Sequence, residues 1–215
     1  MKKLTLSLLL LVTFSSASFF DFFGDEGVKK DTSIFSEENI GRTIIQKAKK
    51  YNIDPRKLFT IASIESNFNP FAIAIETSKK KAEILKGLRS DRIKIQTGRT
   101  YHSRIWLVSV FPKDYRDAVL IIEQLEKLRF GFDVGLMQIN TVNFALSEVK
   151  EMMKPDKNID KAAKILKSCI RQFKSEVHQI ECYNRGAGNL RKMLRGSKRY
   201  YPYYTRYKRH RNKHF

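Results

Sequence analysis

The spacing of its apolar residues is the feature that most constrains the fold of this 215-residue chain. From Ser36 onward they recur every three or four residues, at Ile40, Ile44, Ile45, Ala48 and Tyr51. A stretch from about Ile159 repeats the spacing with Ala162, Ile165, Leu166, Cys169, Ile170 and Phe173. This period places them on one face of an α-helix. The core is therefore expected to form mainly between helices.

Asp54 and Pro55 predict the start of a second helix, which should run to about Ser66. Asp54 can cap the first turn, and Pro55 suits the first helical position because no N–H is needed there. The apolar stripe of this helix passes through Ile61 and reaches Glu65 one turn later. Burial raises a carboxyl pKa, and a general acid must be protonated near neutral pH. A buried ion pair or a helix cap is the alternative at this position.

Residues 93–111 depart from helical spacing and predict a β-hairpin. Residues 93–96 alternate between apolar and polar, and Thr97-Gly98 is the expected turn. The charged residues 79–92 before it are expected to form a surface helix or loop. Pro112 and Asp114 predict the start of a further helix, which Gly131 would end.

The first eighteen residues have the three-part pattern of a secretory signal. Two lysines precede an apolar run over residues 4–14, and small residues follow at positions 15–18. The run is shorter than the roughly 20 residues that cross a bilayer, although a retained anchor is the alternative. No Cys follows for lipid attachment. We expect residues 1–18 to be a signal peptide, residues 19–35 a flexible lead-in, and the protein to be periplasmic or secreted.

The formal net charge of +20 is concentrated near the carboxyl end, where residues 191–215 contain ten Lys or Arg and no acidic residue. Such a field attracts polyanions, including nucleic acid, anionic lipid and cell-wall polymers. The tyrosines of residues 200–207 could stack on bases. We prefer a closing helix whose tyrosines pack on the core, so nucleic acid is not an expected partner.

Cys169 and Cys182 are the only cysteines, and they fit either a disulfide in an oxidising compartment or two buried thiols. The chain has no CxxC pattern. We identify no metal site among the four His residues, and we expect neither a metal nor a cofactor.

Three strings occur in a fixed order: Glu65-Ser66-Asn67-Phe68-Asn69-Pro70, Gly135-Leu136-Met137-Gln138-Ile139-Asn140, and Tyr183-Asn184-Arg185-Gly186-Ala187-Gly188. Together they resemble the signature blocks of the lytic transglycosylase (SLT) domain, the goose-type-lysozyme-like family. The resemblance covers about residues 37–209. It implies an α+β, mainly α, lysozyme-like helical domain over residues 36–210. An inserted β-hairpin and helix would occupy about residues 76–131, and a basic tail end residues 211–215.

The resemblance also implies the site residues. Glu65 would be the catalytic acid and base, and Gln138 and Asn140 would contact the substrate. Tyr183 would hold Glu65 or the substrate's acetamido group. Asn184 would support the loop around it. Ser66 is also placed at the substrate site, and it is expected to steady the helix end rather than react, because no His–acid pair accompanies it.

The sequence departs from the family pattern at three points. Glu65 and Gly135 are 70 residues apart, which together with the Phe132-Asp133-Val134 lead-in resembles the subset found with type IV secretion and conjugation systems. Ala74 replaces a serine that often lines the cleft, which puts one substrate contact in doubt. Arg185 replaces an alanine and could add an anion contact.

The expected reaction is cleavage of peptidoglycan glycan strands to 1,6-anhydro ends by a monomeric enzyme. The wall opening would serve secretion-system components. A hydrolytic muramidase is the alternative, but it needs a second carboxylate. Asp133 is the best candidate, although we expect it to be an N-cap for the next segment. An inactive cationic wall-binding component of a secretion assembly is the alternative from another class.

Overall fold

A computed structural model describes residues 32–100 and 104–215, so the predicted signal peptide and most of the lead-in lie outside the described residues. The described part is α+β and mainly helical, as predicted. Its α-helices are α1 Glu37–Tyr51, α2 Pro55–Ser66, α3 Lys79–Lys86, α4 Tyr115–Lys127, α5 Val149–Met152, α6 Pro155–Gln172, α7 Glu176–Arg185, α8 Ala187–Arg195 and α9 Pro202–His214. None of the helices described is both long and apolar enough to cross a membrane.

The first two helices begin where their capping residues predict. The Ser36 hydroxyl accepts a hydrogen bond from the Asn39 backbone N–H at 3.3 Å, and Asp54 accepts one from the Arg56 N–H at 3.0 Å. Pro55 is the first residue of α2. Each cap satisfies a backbone donor that has no partner within the helix. Helix α6 begins at Pro155, earlier than expected, because a proline at the first position opens it too.

The sheet contains five antiparallel strands in the order β2-β3-β1-β4-β5. They are β1 Ile73–Thr77, β2 Ile93–Arg99, β3 Trp106–Pro112, β4 Asp133–Val134 and β5 Ile139–Asn140. The hairpin of β2 and β3 is confirmed, but the predicted turn at Thr97-Gly98 is wrong. These two residues extend β2 and pair with Val108 and Leu107. Strand β1 was not predicted, and it joins the hairpin to β4.

The described fold contains two large apolar cores, one formed mainly by helices and one formed by the sheet and the helices that pack on it. The helical core contains buried residues of α1, α2, α6, α7 and α9, among them Ile44, Leu58, Ile61, Leu166 and Tyr207. The sheet core packs one face of the strands against α3, α4 and α5, with Ile75, Val108, Leu85, Ile122 and Met152 among its members. We refer to these two parts as the helical half and the sheet half.

A disulfide joins Cys169 of α6 to Cys182 of α7, which decides between the two alternatives for these cysteines. Both residues are buried together with Leu190 of α8. The bond constrains the unfolded chain and ties α7 to α6 directly beside Tyr183.

Helix α9 closes the helical half, as predicted for the tyrosine-rich segment. Tyr203 and Tyr207 lie one turn apart and are 1% and 0% exposed. The basic residues Lys208 and Arg209 of the same helix are exposed. The tyrosines thus serve the core, which is the interpretation preferred over base stacking.

Candidate active site

Glu65 lies in the last turn of α2 and is partly buried. Burial raises the pKa of its carboxyl group from the ordinary value of 4.5 to about 7. The position of Glu65 at the C-terminus of α2 also raises this pKa, because the carbonyl groups at a helix C-terminus carry negative partial charge. The helix stops at Asn67, which with Phe68 adopts the left-handed conformation and turns the chain away. The Glu65 carboxyl group is thereby held at the end of a rigid element.

Tyr203 is the hydrogen-bond partner of Glu65. Its hydroxyl donates to Glu65 Oε1, and this bond lowers the Glu65 pKa and partly offsets burial. Oε2 accepts no hydrogen bond from a described residue, so it is the oxygen available to carry a proton. The pKa of Tyr203 is raised well above its ordinary value by burial, so its hydroxyl stays protonated.

Helix α9 is fastened to α2 close to this pair. Ser63 Oγ lies 2.9 Å from His210 Nδ1 and 3.2 Å from His214 Nε2. The two histidines are one turn apart on α9, and Ser63 is two residues before Glu65. Tyr203 is therefore positioned by a helix that is itself hydrogen-bonded to the helix carrying the acid.

Arg206 adds a positive charge beside the pair. Its guanidinium carbon lies 5.3 Å from the centre of the Tyr203 ring, within the range of a cation–π contact. The charge lowers the Glu65 pKa, but burial is the larger effect. Arg206 itself is exposed.

The second string begins with a tight loop after β4 and ends in β5, and Asn158 holds the loop in place. Asn158 is 0% exposed and accepts a hydrogen bond from the Met137 N–H at 2.7 Å. It also donates to the carbonyls of Val134 and Met152, at 3.0 and 2.8 Å. Gly135 has φ +77°, and a Cβ there would lie 2.6 Å from Asn158 Nδ2. Only glycine fits this combination of conformation and close approach.

Gln138 lies on this loop, and its amide nitrogen is held by the protein. Its Nε2 donates to the carbonyls of Ala72 and Gly135, at 2.9 and 2.8 Å. Two carbonyl partners require the nitrogen on that side. Its Oε1 accepts no hydrogen bond from a described residue, and the side chain is partly exposed. That oxygen can accept a hydrogen bond from a sugar hydroxyl or acetamido N–H.

Ser66 has the steadying role that the sequence predicts. Its hydroxyl donates to the Leu136 carbonyl at 2.8 Å, which ties the end of α2 to the Gly135 loop. The bond holds the end of the helix that carries Glu65 against the loop that carries Gln138. Contact between Ser66 and substrate stays a prediction.

Tyr183 is placed differently from its predicted contact with Glu65. Its hydroxyl donates to the Met137 carbonyl at 2.9 Å, while the Glu65 contact belongs to Tyr203. Burial raises the Tyr183 pKa well above its ordinary value, and the charge of Glu65 acts in the same direction. Tyr183 therefore belongs to the site and holds the loop. Its contact with an acetamido group stays a prediction.

The two residues after Tyr183 also differ from expectation. Asn184 is exposed, and its side chain makes no hydrogen bond to a described residue, so the predicted support of the loop is not seen. Arg185 pairs with the fully buried Glu181 of the same helix and donates to the Tyr200 carbonyl at 3.2 Å. The buried carboxylate of Glu181 is the anion that Arg185 binds in the described structure, and a contact between Arg185 and a further anion stays a prediction.

Asp133 is not an N-cap, contrary to the prediction. It lies in β4, where its carboxylate accepts a hydrogen bond from Asn140 Nδ2 at 2.6 Å. The capping residue is Asn140 itself, whose Oδ1 accepts from the Val142 N–H at 3.0 Å. Burial raises the Asp133 pKa to about 6, and the charge of Glu76 also raises it. Asp133 in turn raises the Glu65 pKa, so the two carboxyl groups interact.

Tyr203, the hydrogen-bond partner of Glu65, is the site residue that reasoning from sequence missed. The i, i+4 spacing of Tyr203 and Tyr207 predicts a buried face, but it does not identify the partner of either hydroxyl. Within the described residues, no group of three or more His, Cys, Asp or Glu is placed to hold a metal ion.

Comparison with known families gives one match. The model described as the transglycosylase SLT domain matches residues 42–204, a range that contains Glu65, Gln138, Tyr183 and Tyr203. No curated protein and no solved structure matches the chain.

Proposed function

The chain belongs to the transglycosylase SLT family, whose enzymes cleave peptidoglycan, and from this premise we propose that it is a lytic transglycosylase. The bond broken is the β-1,4 bond from N-acetylmuramic acid to N-acetylglucosamine. The product is a 1,6-anhydro-N-acetylmuramic acid end.

The observation that carries the proposal is a carboxyl group with a pKa of about 7 whose second oxygen accepts no hydrogen bond from a described residue. Glu65 donates its proton to the bridging glycosidic oxygen, which leaves as the hydroxyl of N-acetylglucosamine. The resulting carboxylate then takes the proton of the muramic C6 hydroxyl. The C6 oxygen attacks C1 and closes the anhydro ring, so Glu65 returns to its protonated form.

A pKa near the working pH suits both halves of this cycle, because the group must give and accept a proton with similar ease. Tyr203 supports the cycle by donating to Oε1 in both states and by stabilising the carboxylate after the first transfer. Gln138 supplies an acceptor on the substrate side through Oε1. The substrate's own acetamido group stabilises the positive charge that develops at C1.

Hydrolysis is the second candidate, and Asp133 is the observation that favours it. A retaining or inverting glycosidase pairs its acid with a second carboxylate. Asp133 is partly buried, has a raised pKa of about 6 and interacts with Glu65. In this alternative it would activate water or attack C1.

Product masses distinguish the two reactions. Purified sacculi are digested with the mature protein, and the released muropeptides are analysed by mass spectrometry. Transglycosylation gives products lighter by one water than the hydrolytic ones, and it gives no new reducing ends. Reducing ends that disappear in Asp133→Asn would establish hydrolysis instead. An absence of release would favour the inactive cationic wall-binding component.

Export and a role in secretion are further parts of the proposal. Residues 1–18 support export to the periplasm through their signal pattern. The long interval between Glu65 and Gly135 supports a type IV secretion or conjugation role by its resemblance to that subset. The secretion role is tested by deleting the gene for this protein and measuring transfer of the secretion system's cargo. The role predicts that transfer is lost, that the wild-type protein restores it and that the Glu65→Gln variant does not.

A further inference from the structure

The sheet aligns five residues in one straight row. In the strand register Gln96 pairs with Ser109, Ser109 with Ala74, Ala74 with Asp133, and Asp133 with Asn140. Directly opposed residues of antiparallel strands point to the same face of the sheet. The row therefore lies on one face and crosses every strand.

This face is the open one. Residues that alternate with the row are buried against α3 and α4: Ile73, Ile75, Ile95, Val108, Val110 and Val134. By contrast, Gln96 is exposed, and Ser109, Ala74, Asp133 and Asn140 are each partly exposed. Because successive side chains along a strand point to opposite faces of the sheet, the apolar face packs on the core and the polar row faces solvent.

The row begins at the candidate active site and leads away from it. Asp133 and Asn140 flank the turn that contains Leu136, whose carbonyl accepts a hydrogen bond from Ser66, the residue after Glu65, at 2.8 Å. Asn140 donates a hydrogen bond to Asp133. With strands about 4.8 Å apart, four steps carry the row about 19 Å from Asn140 to Gln96. Ser109 and Gln96 belong to the hairpin that separates the first two strings of the sequence.

The outer part of the row has groups suited to sugars. No described residue makes a hydrogen bond to the side chain of Ser109 or Gln96, so a hydroxyl and an amide are available. Leu107 and Phe111 flank Ser109 on the same face, and Leu107 is 37% exposed. Ala74 adds little bulk between Ser109 and Asp133. Polar groups beside apolar side chains match a sugar ring, which has hydroxyls at its edge and C–H groups on its faces.

We propose that Ser109 and Gln96 bind the glycan strand at saccharide positions beyond the cleaved bond, so that the inserted hairpin lengthens the substrate cleft. The inference rests on the proposed function, because continuity with Glu65 identifies a glycan as the occupant. If Ser109 and Gln96 bind the glycan, the protein should bind long glycan strands more tightly than short fragments. Loss of the two side chains should weaken only the binding of strands long enough to reach them.

Binding by a non-cleaving chain tests this. The full chain carrying Glu65→Gln is titrated with soluble, peptide-free peptidoglycan glycan fragments of increasing length. The same measurement is made after adding Ser109→Ala and Gln96→Ala together. Loss of two hydrogen bonds is expected to weaken binding of the longest fragment about tenfold and to leave the shortest unchanged. Gln46→Ala with Ser147→Ala, two exposed residues elsewhere, is the matched control.

Equal weakening for short and long fragments, no weakening, or no binding of any fragment would overturn the inference. Its failure is distinguishable from failure of the proposed function, because cleavage of sacculi is measured separately with the wild type. Normal cleavage to anhydro products with no length-dependent loss would reject the extended cleft alone. Length-dependent loss without cleavage would reject the transglycosylase reaction and keep the glycan-binding row.

Discussion

The helical half and the sheet half each contribute one carboxyl group to the candidate site, in different surroundings. Glu65 lies at the end of a helix and accepts a hydrogen bond from the fully buried Tyr203. Asp133 lies in a strand and accepts one from the amide of Asn140. Burial is the largest cause of the raised pKa in both, to about 7 and about 6. Of the two carboxyl groups, Glu65 has the higher pKa and therefore keeps its proton to a higher pH.

This difference assigns the roles. The group that keeps its proton to the higher pH is the better suited of the two to act as the acid, and the other acts through its charge once it is ionised. In the proposed reaction, the helical half supplies proton transfer, and the sheet half supplies negative charge and the surface along which a glycan strand lies. The experiments below test this division of roles.

The largest effect is expected for the two carboxyl groups themselves. Glu65→Gln should lower the turnover number at least roughly hundredfold, as is typical for loss of a general acid. Asp133→Asn should lower it less, because a charge contributes without transferring a proton. Both are measured by release of soluble muropeptides from sacculi. A nearly normal rate for Glu65→Gln would remove Glu65 from its role.

Stability against pH is the control for the Glu65 variant. The raised pKa means that the folded chain binds the Glu65 proton more tightly than the unfolded chain. Stability is then fully present below pH 4.5 and is lost as the pH rises through about 7. Glu65→Gln removes this loss, so it should be more stable than the wild type at pH 8 and similar at pH 4. Lower stability at pH 8 would show that the rate loss reflects unfolding.

The next largest effect is expected for removal of the disulfide bond, which the helical half contains and the described sheet half does not. Replacing Cys169 and Cys182 together with alanine should lower the free energy of unfolding by about 3 kcal/mol, as expected for a loop near 15 residues. Urea denaturation in the absence of reductant measures it. Because the bond lies beside Tyr183, activity should fall with stability. An unchanged midpoint would mean that the helices hold together without the disulfide.

Tyr203→Phe tests the hydrogen bond to Glu65. The bond lowers the Glu65 pKa, so its removal should raise that pKa and move the alkaline limb of the rate profile to higher pH. Turnover at the optimum should fall about tenfold, the scale of one hydrogen bond to a charged group. Tyr183→Phe is the matched control, since its hydroxyl binds a carbonyl, and it should leave that limb in place. A limb that does not move in Tyr203→Phe would disprove the contact.

The smallest effect is expected for Arg206→Gln. Its charge lowers the Glu65 pKa, so the alkaline limb should again move upward, but by less than in Tyr203→Phe because Arg206 is exposed and screened by salt. The difference from wild type should shrink as sodium chloride is added. Lys208→Gln, an exposed neighbour on α9, is the control. A shift of the alkaline limb to lower pH would contradict the conclusion that the Arg206 charge lowers the Glu65 pKa.

Much of the helical half could be predicted from sequence because its signals are local. Ser36, Asp54 and Pro55 specify helix starts through their own backbone neighbours, and helical spacing placed Glu65 on the inner face. Tyr203 could not be assigned to Glu65, because the two are 138 residues apart and spacing identifies a buried face without naming its partner. The sheet half was predicted less well for a related reason. Strand β4 has two residues, too few to show alternation, so Asp133 was interpreted as a cap.

The most direct test of the account is the titration of the Glu65 carboxyl group. Glutamate carboxyl carbons are labelled with ¹³C in the full mature chain, and the Glu65 resonance is identified by its absence from the Glu65→Gln spectrum. The account predicts a midpoint near pH 7, well above the ordinary value of 4.5. A midpoint near 4.5 would leave Glu65 ionised at neutral pH and would contradict its role as the catalytic acid.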